Sequence, residues 1–370
     1  MGQWLRAALA ERSLFFRGNS PRRGIVMDKK FRVGIIGCGQ IAKYLHVPDY
    51  ARCPQAELVA FCDIDVVKAR ALAQEFAPDA QIFHDFSMML KEMDLDGVSI
   101  CTPNYLHGPA TIAALKADCN VLVEKPMATS SVEAQKMVDA AKKAKRLLMV
   151  DQTQRLFPAH VKAKEVLDSG LMGKILVVNS MFGHSGPENW SPTGKWFFKK
   201  KEARFGAMAD LGVHKADLIR FLTGKEVAEI SGYMNRLEKK NSDVEDNFVS
   251  SFTFTDGTMG TLCASWTVKG CEANYTIFHC ANGTLRVCEF PGKPVVAYLV
   301  NPQCEIEFPT AQAATNDDDE WGLNACGNFV LASLGRATPF CTGEDAKKSL
   351  DIILAAEKSA LTGKSVKLNH

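Results

Sequence analysis

Phe31 to Ile36 is a short apolar run, and Gly37-Cys38-Gly39-Gln40-Ile41-Ala42 follows it directly before a helical pattern begins. No other stretch restricts the fold as strongly. An apolar strand, a glycine-rich turn and a helix start, in that order, open a βαβ unit. In G-x-G-x-x-A the first glycine makes a tight turn and the second lets the backbone approach a pyrophosphate. The small third residue lets helix and strand pack closely. Amide groups at the helix start, with the helix dipole, favour an anion there. Alone, such a motif is weak and reads also as an ordinary glycine-rich turn.

The following segment supplies the context. Glu57 to Cys62 reads as a second buried strand, ending at Asp63 about two dozen residues after Gly39. An acidic residue roughly 20 residues on is expected to hold the adenosine ribose. A carboxylate there accepts from the 2′-hydroxyl and repels a 2′-phosphate. No arginine stands beside Asp63-Ile64-Asp65, so the pattern points to NAD, with NADP as the second choice. Gly37, Gly39, Gln40, Ile41 and Asp63 are the candidate contacts. Helical stretches at 66–76, 86–92, 109–117 and 130–145 then alternate with short apolar strands ending near Phe83, Cys101, Val123 and Val150. That alternation predicts a doubly wound parallel sheet.

Ligands of such a sheet sit beyond the carboxyl ends of its strands. Val121-Leu122-Val123-Glu124-Lys125-Pro126 places two opposite charges at one of these ends, where Pro126 stops the strand. Thr102-Pro103-Asn104-Tyr105-Leu106-His107 stands at another. Thr102, Asn104, His107, Glu124 and Lys125 are therefore expected around the nicotinamide half of the cofactor. Further on, Gly206 to Asp217 leads into a helix on which Asp210, His214 and Asp217 share one face at i, i+4 and i+7. By residues alone this is a satisfied structural histidine, a metal pair or an acid/base pair. A metal would need a third ligand, and hydride transfer needs no metal, so none is expected.

The 370 residues leave room for two domains, and 46% hydrophobic content supports full cores. A net charge of +2 is no footprint for nucleic acid. No run of about 18 apolar residues is present to span a membrane. Twelve cysteines are scattered without a C-x-x-C pair, several in apolar runs, as reduced thiols of a cytoplasmic protein would be. Residues 1–27 carry five arginines against Glu11 and read as an N-terminal extension outside the fold. Residues 28–150 form the nucleotide-binding domain and 151–370 a second domain. The second is strand-rich from Glu226 to Leu299, with turns such as Thr255-Asp256-Gly257, which predicts an antiparallel sheet. Asn316 to Glu320 reads as a solvated helix start, and Thr342 with Asp345 as a capping box.

The Gly37–Ala42 loop, Cys101-Thr102-Pro103-Asn104 with His107, Glu124-Lys125-Pro126, and D-x-G-x-H-x-x-D from Asp210 together resemble the Gfo/Idh/MocA family of NAD(P)-dependent sugar and polyol oxidoreductases. The resemblance runs from about Phe31 to Leu368. It implies a Rossmann domain followed by an α+β domain, whose large, mostly antiparallel sheet joins subunits into a homodimer or homotetramer. It also implies a carbohydrate or polyol substrate. The family's arginine near this position points to Arg155 and Gln152 as pocket residues. Where the family often has two or three glycines, this chain has Arg204-Phe205-Gly206-Ala207.

In a dehydrogenase of this kind Lys125 would stabilise the reacting oxygen, with Glu124 steadying it or contacting the cofactor. His214, with an ordinary pKa near 6.5, would be the base, and Asp210 would hold a hydroxyl or orient His214. Lys125 as the base is the alternative scheme. Some relatives use held NAD for redox-assisted glycoside cleavage, and others are non-catalytic regulators.

Overall fold

The computed structural model describes residues 29–192, 194–310 and 324–369. The N-terminal extension and the acidic run at 316–320 lie outside the described residues. Six strands form the first sheet: β1 (Phe31–Ile36), β2 (Ala56–Cys62), β3 (Gln81–Phe83), β4 (Gly97–Ile100), β5 (Asn120–Val123) and β6 (Leu148–Val150). Their order is β3-β2-β1-β4-β5-β6, and every pairing is parallel. Helices cover both faces, so β4 and Val121–Val123 are wholly buried, as apolar central strands of such a sheet must be. Short polar side chains start the intervening helices. Asp65, Asp85 and Ser130 each accept a backbone N–H of the first turn. The strand order reverses between β1 and β4, and the glycine loop, Thr102 and Lys125 all lie beyond the carboxyl ends of strands around that crevice.

The second sheet has nine strands: β7 (Ile175–Gly183), β8 (Val227–Asn235), β9 (Asn247–Phe254), β10 (Met259–Ser265), β11 (Ala273–Cys280), β12 (Gly283–Phe290), β13 (Lys293–Val300), β14 (Gln303–Glu307) and β15 (Val366–Lys367). The order is β14-β13-β12-β11-β7-β10-β9-β8-β15. All its pairings are antiparallel except β7 with β10, which sit parallel at the centre. One face packs on helices through Val178, Phe248, Phe252, Leu262 and Phe278. The helices Ala325–Ser333 and Gly343–Thr362 follow this sheet in the chain yet also help fill the first sheet's core. Phe329 meets Phe31 edge-on at 5.9 Å, and Cys341, Ala346 and Leu350 join the apolar cluster of β4 to β6.

Two local readings change. Asp210 and His214 do not share one regular α-helix. Met208–Gly212 is a π-helical turn, closed by the Val213 N–H donating to the Met208 carbonyl, and only Val213–Thr223 is α-helical. A π turn holds more residues per turn, so the i, i+4, i+7 face is broken. Asp217 turns to Arg155 instead. The capping box is half formed: the Thr342 hydroxyl accepts the Asp345 N–H, but the Asp345 carboxylate is drawn away to Arg155 and Arg220.

Candidate active site

Gly37 has φ +93°, and a Cβ there would lie 2.7 Å from the Cys101 carbonyl group. Only glycine lets β1 turn this close to the end of β4. A Cβ on Gly39 would meet nothing within 4 Å, so this loop is bare backbone facing a cradle. The chain then enters a π-helical turn, Ala42–His46. The Asp63 carboxylate accepts the Cys38 N–H at 2.7 Å and the Asp65 N–H at 2.8 Å, which fixes it at the end of β2. A cavity of about 670 Å³ runs from here to the second sheet's helices. A bare glycine cradle at one end and a ribose-height carboxylate beside it fit a dinucleotide.

Gly37, Gly39, Gln40, Ile41 and Asp63 line this cavity. So do Thr102, Asn104, His107, Glu124, Lys125 and Asp210. His107 bridges two strand ends, its ring nitrogens each 2.8 Å from the Thr102 and Pro126 carbonyl oxygens. The Asn104 amide donates to the Ala203 carbonyl at 2.8 Å, tying the loop after β4 to the segment that leads to Asp210. Lys125, at a cis peptide to Pro126, donates from Nζ to both the main chain and the carboxylate of Asp210.

Asp210 is buried, which opposes its charge. The Lys125 ammonium, with His184 and Trp266, outweighs burial and holds the carboxyl well below the ordinary range. The Trp266 indole donates to Asp210 Oδ2 at 2.9 Å. His184 accepts the Gly186 N–H at Nδ1, and its Nε2 lies 3.6 Å from Asp210 Oδ2. His214 is buried, and its Nδ1 has no hydrogen-bond partner among the described residues. Burial first, and the Lys125 charge second, push its pKa well below 6.5, against the pull of Asp210. The expectation of an ordinary pKa near 6.5 is thus corrected: burial and the neighbouring ammonium favour the neutral imidazole.

Three candidates stand away from the cavity lining: His214, Gln152 and Arg155. Arg155 spends its guanidinium on Asp217, at 2.6 Å through both Nε and Nη2, on Asp345 and on the Phe340 carbonyl. Its donors are consumed in a buried ion network. Gln152 is buried, with Oε1 unpartnered among the described residues.

Sequence reasoning missed His46, Ser99 and Asp151. His46 Nε2 lies 3.0 Å from Glu124 and 3.2 Å from Asp151, and its Nδ1 lies 3.0 Å from the Ser99 hydroxyl. Burial opposes charge on His46, but flanking thiols and Asp151 raise its pKa. Burial also opposes ionisation of Glu124, yet the His46 hydrogen bond holds its pKa down. Burial, then repulsion from Glu124, pushes Asp151 up to about 6. His46, Glu124 and Asp151 could offer ligand atoms to a metal; His46 Nε2 is hydrogen-bonded to Glu124 at 3.0 Å, while neither Asp151 oxygen has a hydrogen-bond partner among the described residues. The only sequence signal was a histidine four residues past Ala42, on the helix that the cofactor loop opens. His184 and Trp266, at strand ends of the second sheet, gave none. Lys68 and His84 also line the cavity near Asp63.

Comparison with known proteins gives a consistent picture. A model described as "Oxidoreductase family, NAD-binding Rossmann fold" matches residues 31–152, and one for the GFO/IDH/MocA C-terminal domain matches residues 160–286. The D-glucoside 3-dehydrogenase of Escherichia coli (strain K12) is 33% identical over 94% of this chain and all of that protein. The 1,5-anhydro-D-fructose reductase of Ensifer adhaerens is 26% identical over 91% of this chain and 98% of its own length. The solved WlbA dehydrogenase of Bordetella pertussis, in complex with NADH and UDP-GlcNAcA, superposes with a TM-score of 0.78 at 26% identity. It covers 92% of this chain and 99% of that one.

Proposed function

This chain belongs to the Gfo/Idh/MocA oxidoreductase family, and on that premise we propose that Lys125, Asp210 and His214 serve the NAD-dependent oxidation of a secondary alcohol of a sugar or polyol, or the reverse reduction. The observation that carries this reading is the Lys125–Asp210 pair, set in the wall of the cofactor cavity beside a neutral histidine. The chemistry a bound nicotinamide supplies is acceptance of a hydride from the carbinol carbon. The protein handles the remaining proton and the negative charge on oxygen.

Lys125 Nζ donates to the reacting oxygen and stabilises the developing alkoxide, an interaction strongest in the transition state. Asp210 anchors that ammonium and keeps it pointed at the cavity. His214, behind the cavity wall but close enough to feel the charges of Lys125 and Asp210, with Nδ1 unpartnered among the described residues, is assigned the proton, which reaches it from the reacting oxygen by way of Lys125. General acid–base catalysis of this kind contributes roughly 10² to 10⁴ in rate. Glu124, clamped by His46, accepts the Lys125 main-chain N–H at 3.1 Å and so steadies the loop that carries the lysine. The test is reduction of NAD, followed by absorbance, across a panel of glycosides, aldoses and inositols. Product appearing with none of them, while NAD still binds, would sink the reading.

Residues 28–150 and 151–370 are proposed as the nucleotide and substrate domains. A homo-oligomer through the outer face of the nine-stranded sheet is supported by a cross-strand row of Tyr233, Val249, Cys263, Met181 and Tyr275. Tyr233 and Val249 in that row are exposed. All twelve cysteines are free thiols, which supports a cytoplasmic location.

A further inference from the structure

The far wall of the cavity is aromatic. Trp190, Trp196 and Phe197 line it. Trp196 and Phe197 stack with centroids 3.9 Å apart, and Trp190 meets Phe197 edge-on at 5.1 Å. Phe197 is buried and anchors the group, whereas Trp190 is 42% exposed. Trp190 thus leaves part of its indole open on a wall whose other aromatic faces line the cavity. The indole N–H groups add to it. That of Trp266 is committed to Asp210, but those of Trp190 and Trp196 have no partner among the described residues. The wall runs straight on in sequence, through Phe205 and Gly206, into the π-helical turn carrying Asp210. It therefore adjoins the place where the reacting ring is proposed to sit.

Charge narrows what this wall receives. Among the described residues, the only lysines or arginines lining the cavity are Lys68 and Lys125. Lys68 stands at the ribose end near Asp63, and Lys125 is tied to Asp210. Lys195, Lys199, Lys200 and Lys201 belong to the aromatic segment but are exposed and do not line the cavity. Lys199 is moreover paired with Glu202 at 2.8 Å, and Lys239, beside the preceding turn, is paired with Glu188. The acidic Glu202 lines the wall itself. A phosphate or diphosphate on the substrate would need charge-assisted donors there and would meet a carboxylate.

We infer that Trp190 and Trp196 form a subsite for the second, uncharged ring of a glycoside, so that the substrate is a neutral glycoside and not a free, phosphorylated or nucleotide-linked sugar. This rests on the reacting ring lying at Lys125 and Asp210. The apolar face of the second ring, whether sugar or aryl, lies against the aromatic wall, and an indole N–H donates to an oxygen of the ligand.

The experiment is calorimetric titration of the NADH-loaded full chain with phenyl glycosides, disaccharides, free monosaccharides, sugar 6-phosphates and UDP-sugars in gluco, galacto and manno configurations. At least one phenyl glycoside or disaccharide is expected to bind about tenfold or more tighter than its free monosaccharide, with both anionic classes weaker still. Trp190→Ala is expected to weaken that glycoside about fivefold or more, and Trp190→Phe to restore most of the loss. Because Trp190 is part-exposed, its truncation leaves the core intact, and an unchanged melting temperature checks this. The inference is overturned if monosaccharides match glycosides, if an anionic sugar binds tightest, if Trp190→Ala weakens every ligand alike, or if no glycoside binds. Its failure is separable from failure of the functional reading. An inositol that reduces NAD while glycosides fail to bind would retain the reaction and remove the subsite. Glycoside binding without any NADH formation would do the opposite.

Discussion

Lys125 Nζ lies 2.9 Å from the carbonyl oxygen of Asp210 and 3.1 Å from its Oδ1. One ammonium thus joins the end of β5 to the π-helical turn at Met208–Gly212. It grips both the main chain and the side chain, so rotating the carboxylate away would lose the Oδ1 bond while the carbonyl bond still holds the turn to β5.

Lys125→Met is therefore expected to cut kcat by about 10² to 10⁴ while leaving NAD affinity within a few-fold. Asp210 would keep the Trp266 bond but lose its cation. Fluorescence titration with NADH, set beside turnover, separates the two effects. Near-normal turnover would remove Lys125 from the chemistry.

Asp63 and Lys68 both line the cavity, and in the proposed pose the Asp63 carboxylate meets the adenosine ribose and repels a 2′-phosphate. Asp63→Ser should weaken NAD binding and narrow the NAD-over-NADP preference by roughly tenfold, about 1.4 kcal/mol. Dissociation constants for both cofactors measure this. An unchanged ratio would mean that another group sets the preference.

Arg155 holds Asp217 and Asp345 together. Arg155→Met leaves a buried carboxylate uncompensated and should destabilise the fold by about 3–5 kcal/mol. Denaturant unfolding reports the loss. For the fraction that remains folded, the substrate KM is expected to stay within about twofold. A KM effect without a stability effect would return Arg155 to the pocket.

Lys215 is wholly buried, with Thr276 Oγ1 at 3.5 Å as its hydrogen-bond partner. Burial pushes its pKa down to about 7, whereas an unfolded lysine titrates near 10.4. Between these values the unfolded chain binds more protons. Lys215 therefore costs stability below about pH 7, and the cost fades as pH rises toward 10. Lys215→Met should raise the melting temperature at pH 7 and flatten its rise between pH 7 and 10. A parallel shift at every pH would show that Lys215 is not the titrating group.

The nucleotide half of the site was legible because its chemistry is written in backbone terms. Gly37 must be glycine, Pro126 must end a strand, and Asp63 must follow β2, so local rules locate all three. Spacing singled Asp210 out without choosing among three readings and the family resemblance pointed to the acid/base one, but neither indicated the π turn that aims it, since no residue pattern distinguishes one extra residue per turn from an α-helix. Arg155, expected as a possible pocket residue, was hard to read for a different reason. An arginine reads the same in sequence whether it awaits a ligand or already holds two carboxylates, and Asp217 and Asp345 reach it only through tertiary packing. His46, His184 and Trp266 arrive from separate elements, and no window of sequence contains the acidic groups they face.

The central strand of the nine-stranded sheet has a consequence for how the protein is made. β8–β9–β10 and β11–β12–β13–β14 are local meanders that can zip as they emerge, but β7 lies between them, and its Asn179 meets Thr261 82 residues later. At roughly 5–20 residues per second, β7 leaves the ribosome with both edges bare for on the order of ten seconds. The two meanders then close on it from opposite sides. Assembly of this half is a late, non-local event, which high contact order makes slow. During that interval β7 presents two unpaired strand edges.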